Sequence, residues 1–329
     1  MTNTMRAIVL AGPGEPDTLI PSDVPVPQVK PGWVRIRVKA FGVNESEVTS
    51  RHGGSSSDFS FPRILGIEAV GIIDAADPET GFSPGQKVAT MMGGMGRSFD
   101  GSYAEYTVVP ADQVIPLESE LPWETLGALP EMFQTAYGSL TTGLDVQAGQ
   151  TVLIRGGTST VGLAAADLAA DMGATVIATT RDPARFTLLS DHGVTHPLLD
   201  QRDLATAVRQ LVPAGVDAAL ELVGTTTLPD TLRSVRRGGT GCFTGALSGA
   251  WTIENFSPFA VIPKGVRLTT YGGDASDLPA DAFAHQLDAI AAGRIHPAIA
   301  AVYNGLEQVA DAHIALESGS TPGKHVVVL

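Results

Sequence analysis

The stretch QTVLIRGGTSTVGLAAADLAADMGATVIATTRDPAR, Gln150 to Arg185, decides how this chain folds. It opens with Thr151-Val-Leu-Ile-Arg155, an apolar run that reads as a strand buried on both faces, as in a parallel sheet. A small-residue turn follows, Gly156-Gly-Thr-Ser-Thr-Val-Gly162. Apolar residues at Val161, Ala164, Ala165, Leu168 and Met172 share one face and predict a helix over 161–172, ended by Gly173 in a left-handed cap. Ala174 to Thr179 predicts a second strand. Strand, turn, helix and strand at this length form the βαβ unit of a dinucleotide fold.

Gly156 lets the chain turn out of the strand, and Gly162 lets helix and strand pack without a Cβ between them. Between them lie Gly157, Thr158, Ser159, Thr160 and Val161. Amides in the first helical turn then face a pyrophosphate, with the helix dipole adding to the attraction. The spacing is G-x-x-S-x-x-G rather than G-x-G-x-x-G, with Ser159 in the central place, small enough for close approach and able to offer its hydroxyl to phosphate. A plain structural turn is the alternative, and the surrounding strands and helix favour nucleotide binding.

The end of the second strand selects the cofactor. An NAD site places Asp or Glu there for the ribose hydroxyls. This chain has Thr179-Thr180-Arg181, with Arg185 one turn later. A carboxylate at Thr180 would repel a 2′-phosphate, whereas Arg181 can pair with it bidentately, so NADPH is favoured over NADH. Asp182 reads as an N-cap for a helix starting at Pro183, and Arg185 reads equally as a phosphate contact or a solvated helix face. Val223, Gly224 and Gly245 follow the fourth and fifth predicted strands, where ligands approach such a sheet.

The chain has 329 residues, 43% hydrophobic and 17% charged, enough for two domains with separate cores. Its one cysteine, Cys242, excludes an internal disulfide and any multi-cysteine zinc cluster. A net charge of −14 disfavours nucleic acid and anionic membranes as partners. No apolar run is long enough to span a bilayer and no signal-peptide h-region is present, so a soluble, cytoplasmic protein is expected.

Upstream, short strands alternate with Gly/Pro turns: 5–11, 34–40, 65–73, 87–91 and 101–110, with a short helix over 45–51. Pro21 to Pro31 reads as irregular, and Gly53–Ser57 and Met91–Gly96 as flexible loops. This predicts a partly closed β-barrel-like domain. Helical signals over 123–142 lead to the nucleotide domain, whose further strands fall at 194–199, 216–222, 239–244 and 266–271. The expected architecture is α/β: a doubly wound parallel sheet over 126–273, plus a β-rich domain from 1–125 and 274–329. The final strand, Lys324 to Leu329, is expected to return to the β-rich domain, because the six-strand sheet is already complete.

Gly42-Val-Asn44, Arg51-x-Gly53, Phe61-Pro62, Leu65-Gly-Ile-Glu68, Gly71, Gly101-Ser-Tyr-Ala-Glu105, Thr135-Ala-Tyr137 and Gly156–Gly162 occur in one order. Together they resemble the zinc-independent quinone oxidoreductase (zeta-crystallin-like) branch of the medium-chain dehydrogenase/reductase superfamily. The resemblance implies a GroES-like domain beside the Rossmann domain. Zinc members of that superfamily carry Cys where this chain has Asn44 and His where it has Ile67; no metal site is therefore expected. Some bacterial members of the branch carry Tyr where this chain has Thr49.

The resemblance also implies hydride transfer from NADPH to a quinone or α,β-unsaturated carbonyl, lying in a cleft between the domains. Asn44 is the candidate donor to the oxygen that gains charge, with a helix cap as its alternative role. Thr135 is a candidate to hold the cofactor's carboxamide or ribose, with packing as the alternative. Tyr271 is a candidate to reach substrate, and Lys324 resembles a position near the cofactor. Glu68 is expected to be structural and paired with Arg51, since a lone buried carboxylate is costly. Pairing of family members through the last strand of the nucleotide sheet implies a homodimer, for which 255–271 is apolar enough. Two other functions fit the residues: an enoyl-thioester reductase, or an NADPH-binding sensor without activity.

Overall fold

A computed structural model describes residues 4–55 and 59–329, so Ser56 and Ser57 of the expected flexible loop lie outside the described residues. The chain divides into two compact units. One runs to Gln134 and takes back Asp274–Ala291 and Pro297–Leu329; the other is Thr135–Gly273 with Ala292–His296. The division after Gln134 falls nine residues beyond the expected 125/126 boundary.

The second unit is built on a six-stranded parallel sheet. From edge to edge its strands are His196–Leu199, Thr175–Thr180, Thr151–Arg155, Val216–Glu221, Val235–Phe243 and Arg267–Thr270. The Thr151–Arg155 strand lies inside the sheet, paired on both sides, and Val152, Leu153 and Ile154 are fully buried. That is why it reads as a continuous apolar run rather than an alternating one. The helix after it, Thr160–Asp171, buries Leu163 to Ala169 and ends before Gly173, whose φ of 83° is the left-handed cap.

The first unit is mainly antiparallel. A seven-stranded sheet follows the order Ile299–Asn304, Lys324–Val328, Trp33–Val43, Glu68–Ala76, Lys87–Met91 and Val114–Pro116, with Tyr106–Pro110 also pairing on Trp33–Val43. The final strand therefore joins this unit, with His325 opposite Val43. A smaller sheet holds Pro21–Pro25, Thr4–Leu10 and Arg63–Ile64. Pro21–Pro25, read as irregular, is an edge strand, a place that tolerates proline's missing N–H. The loop expected to be mobile after Met91 is held instead, with Met91 and Met95 each 1% exposed. Among the described residues no helix is long and apolar enough to cross a membrane.

Candidate functional site

In the second unit the expected nucleotide residues gather at the C-terminal ends of the parallel strands. Gly156 leaves its strand at φ 85°, a conformation that favours glycine. A Cβ on Gly162 would collide with the Gly156 carbonyl, so helix and turn approach as closely as the spacing required. Ser159 is the N-cap: its Oγ accepts the Gly162 N–H at 3.1 Å and donates to the Gly156 carbonyl at 2.8 Å. Its hydroxyl shapes the turn rather than reaching for phosphate, which corrects the role read from sequence. Gly157 packs on the Thr175–Thr180 strand, and Thr158, Thr160 and Val161 are half-buried on the loop and first turn.

Thr180 is buried, and its hydroxyl engages the backbone of Asp182, accepting from N at 3.2 Å and donating to O at 3.3 Å. Asp182 caps the short helix Pro183–Arg185 by accepting the Ala184 N–H at 2.9 Å. Arg185 lies 3.9 Å from Asp182. Arg181 is exposed, and its guanidinium makes no ion pair or hydrogen bond with the described residues. A free guanidinium just past this strand is a local positive charge in a strongly acidic protein.

Sequence reading missed what braces the turn. Arg155, 2% exposed, donates to Asp200 at 2.7 Å, Asp230 at 2.9 Å and the Thr227 carbonyl at 3.3 Å. Asp200 in turn accepts from Thr179 at 3.0 Å, and Thr179 accepts the Gly156 N–H at 3.1 Å. The signal was an arginine closing a strand otherwise buried on both faces, a residue type rarely buried unpaired. Glu221, fully buried, takes the amides of Val223 at 2.7 Å and Gly224 at 3.1 Å, and its carbonyl takes that of Gly245 at 3.2 Å. These N–H groups, expected near a ligand, are satisfied within the protein. Tyr271, directly after the Arg267–Thr270 strand, is buried with its phenol against Gly138. Thr135 is half-buried on the Pro130–Gly138 helix, and its carbonyl accepts the Ser139 hydroxyl at 2.7 Å.

The first unit contains a different cluster. Asn44 stands between the Trp33–Val43 strand and the Glu45–Arg51 helix, in the N-cap position but with no side-chain cap bond. Its Nδ2 donates to Glu68 at 2.9 Å and Glu47 at 3.3 Å, and its Oδ1 accepts from Lys324 Nζ. Charge fixes that orientation, because an ammonium faces the oxygen and carboxylates face the amide hydrogens. Lys324 also reaches Glu68 at 2.7 Å and Glu131 at 3.0 Å. The pairing of His325 with Val43 places Lys324 beside Asn44. Lys324 is 2% exposed and held in this cluster. Both amide hydrogens of Asn44 are engaged by carboxylates in this structure.

Glu68 pairs with Lys324, not with Arg51 as expected. Arg51 is wholly buried and donates to Glu317 at 2.8 Å, to the Gly14 carbonyl at 3.0 Å and to His313 Nδ1 at 3.1 Å. A ring nitrogen facing a guanidinium must accept, so His313 donates from Nε2 to Tyr103 at 2.9 Å. Burial, then the Arg51 charge, lowers the His313 pKa to about 3 and keeps the ring neutral.

Electrostatics follow from three carboxylates around one ammonium. Burial opposes the Lys324 charge, but Glu68 and Glu131 outweigh it and raise its pKa above the usual lysine value. Burial, only partly offset by Lys324, raises that of Glu68. Glu47 is pushed up to about 7, first by burial and then by the Glu68 charge, despite the Ile67 N–H it accepts at 3.0 Å. Its Oε2 is buried without a partner.

This gives a testable sign. A carboxyl whose folded pKa is raised favours the protonated state, so its stabilisation is present below about pH 4.5 and is lost as pH rises through about 7. Glu47→Gln removes that titration. Between pH 5 and pH 8, urea unfolding should show the variant gaining about 2–3 kcal/mol on the wild type. A difference that does not change with pH would show that Glu47 titrates as an ordinary carboxyl.

Comparison with known proteins agrees with this architecture. Residues 30–119 match the alcohol dehydrogenase GroES-like domain, and residues 160–285 match the zinc-binding dehydrogenase family. The human quinone oxidoreductase is 28% identical over 331 residues, covering 99% of this chain and 98% of that protein. The crystal structure of AibC superposes with a TM-score of 0.90 at 29% identity, over 100% of this chain and 96% of that one. Mycobacterial Rv1454c, solved in complex with NADPH, gives a TM-score of 0.85 at 28% identity, over 99% and 100%. With both domain matches in order and these full-length likenesses, the chain belongs to the medium-chain dehydrogenase/reductase superfamily, as a quinone-oxidoreductase-like member.

Proposed function

We propose that this protein is an NADPH-dependent reductase that transfers hydride to a quinone or an α,β-unsaturated carbonyl compound without a metal. The observation that carries the reading is the Arg181 guanidinium, unpaired among the described residues, beyond the Thr175–Thr180 strand, where an NAD site would have a carboxylate. The Gly156–Gly162 turn would hold the pyrophosphate on first-turn amides, and Arg181 with Arg185 would hold the 2′-phosphate. NADPH, when bound, supplies the hydride. The likeness to quinone oxidoreductases and to a protein solved with NADPH supports both parts.

The donor set does not suit zinc. A zinc centre needs thiolate, imidazole or carboxylate ligands in a tetrahedral set, and the chain offers Asn44 and Ile67 at the two matching positions. The carboxylates nearest Asn44 are gathered around the Lys324 ammonium, and among the described residues no group of three or more His, Cys, Asp or Glu could hold a metal. The protein is proposed to act as a homodimer. Arg267–Thr270 is an edge strand, and Phe259, in the segment before it, is fully exposed at 102% with Trp251 and Phe256 also exposed.

Arg181→Ala should weaken NADPH binding about 10–100-fold and leave NADH binding nearly unchanged, as read by calorimetry. Equal weakening of both nucleotides would rule out the 2′-phosphate contact. Stopped-flow NADPH oxidation against naphthoquinones and alkenals tests the activity, and no turnover with any acceptor while NADPH binds would overturn it.

A further inference from the structure

Arg97 has no place in the reading above. In the first unit Arg6, Arg35, Arg37, Arg51 and Arg63 each pair with a carboxylate. Arg97 pairs with none of the described carboxylates. It is half-buried, and its Nε is buried without a hydrogen-bond partner. Among the described residues its one side-chain bond donates from a terminal nitrogen to Ser46 Oγ at 2.6 Å. Ser46 is two residues beyond Asn44 and half-buried, and its own hydroxyl proton has no acceptor among the described residues.

The loop that carries Arg97 is built, not slack. Met92, Gly93, Gly94 and Gly96 all have positive φ, of 58°, 57°, 95° and 69°. A bulky residue in that region needs surrounding structure to hold it there. The Met92 N–H bonds the Ile67 carbonyl at 2.7 Å, and the amides of Arg97 and Ser98 return to the Gly94 carbonyl at 3.0 and 2.8 Å. A Cβ on Gly96 would stand 2.7 Å from the Gly66 carbonyl, so the loop lies tight on the chain before Glu68. Phe99 fixes its far end, edge-on to Trp33 at 5.2 Å.

We propose that Arg97, with Ser46, recognises an anionic group on the acceptor, so that the preferred substrate carries a carboxylate or phosphate besides its reducible carbonyl. A guanidinium with no carboxylate partner among the described residues can meet either anion through its terminal nitrogens, and the Ser46 hydroxyl, which accepts from one of them, keeps its own proton to donate. In a chain of net charge −14, a cation that no described carboxylate meets leaves the counter-ion to be supplied by the ligand. The inference deepens the reductase reading and rests on it for the identity of the reaction.

The test compares 3-benzoylacrylate with its primary amide, a matched anionic and neutral pair, by calorimetry and in parallel NADPH-oxidation assays. Wild type should bind the carboxylate more tightly, and Arg97→Gln should lower the carboxylate-to-amide affinity ratio about 10–100-fold. Ser46→Ala should lower it less. Arg202→Gln, removing an exposed cation from the other unit, should leave the ratio unchanged. Competition by inorganic phosphate would extend the class to phosphate-bearing acceptors, and its absence would confine it to carboxylates; either result upholds anion recognition. A wild type that does not distinguish the pair, or an Arg97→Gln variant that weakens both equally, would overturn it. Binding through Arg97 with no turnover of these compounds or of any naphthoquinone or alkenal would instead sink the reductase reading alone.

Discussion

Lys324→Met should destabilise the protein by about 3–5 kcal/mol at neutral pH, because removing one partner of a buried ion pair leaves its counter-ions uncompensated. Here the ammonium faces Glu68 and Glu131 and anchors the Asn44 oxygen, so its loss strands two carboxylates and an amide oxygen. Since the folded lysine pKa is raised, the wild-type stabilisation is complete below about pH 10 and is lost only as pH climbs through the folded value. Between pH 5 and 9 the titration of Lys324 itself therefore adds no pH dependence. The variant's deficit should shrink on acidification, as Glu68 takes up a proton and needs no cation. Urea unfolding at pH 5 and pH 8 reads both effects. A variant as stable as wild type at pH 8 would show that the cluster contributes nothing net.

Arg155→Met should cost a similar amount, about 3–5 kcal/mol, and should also loosen the nucleotide turn. Asp200 and Asp230 would lose their shared cation, with Glu221 close enough to feel the change. The second effect runs through hydrogen bonds. Arg155 holds Asp200, Asp200 holds the Thr179 hydroxyl, and Thr179 holds the Gly156 amide. Thermal unfolding should fall, and the folded variant's affinity for NADPH should fall with it. Arg155→Lys should recover only part, since a lysine brings the charge without the fork that reaches both aspartates. Lost stability with unchanged NADPH affinity would separate the network from the turn.

The pattern of the second unit was readable in detail, because a parallel strand buried on both faces leaves an uninterrupted apolar signature. Thr151–Arg155 falls where the residues placed it, as does Lys87–Met91 in the first unit, and the final strand joins the first unit as the completed six-strand sheet implied. Pro21–Pro25 and Ile299–Asn304 were harder, since edge strands are exposed on one side and carry little periodicity.

The site divides along the same physical line. Local order fixes what neighbours in the chain do to each other: the Gly156 turn, the Gly173 cap, the Asp182 cap and the absence of an acidic residue at Thr180–Arg181 all follow from residues a few positions apart. Even there Ser159 went astray, because its hydroxyl had two uses and only the folded turn chose the cap. Long-range pairing is different. A buried charge announces that it needs a partner, yet nothing in the chain order says which one. Glu68 was given Arg51 and took Lys324, from a strand at the other end of the chain. Asn44 was a donor candidate on the strength of the family resemblance; the antiparallel register that sets His325 opposite Val43 brought in the ammonium that faces its amide oxygen. The sequence alone determined the two folds and the Gly156–Gly162 turn, through local conformational preference and apolar pattern. Only tertiary structure decided which charges meet, because that depends on strand register, and register is fixed by packing across the whole sheet.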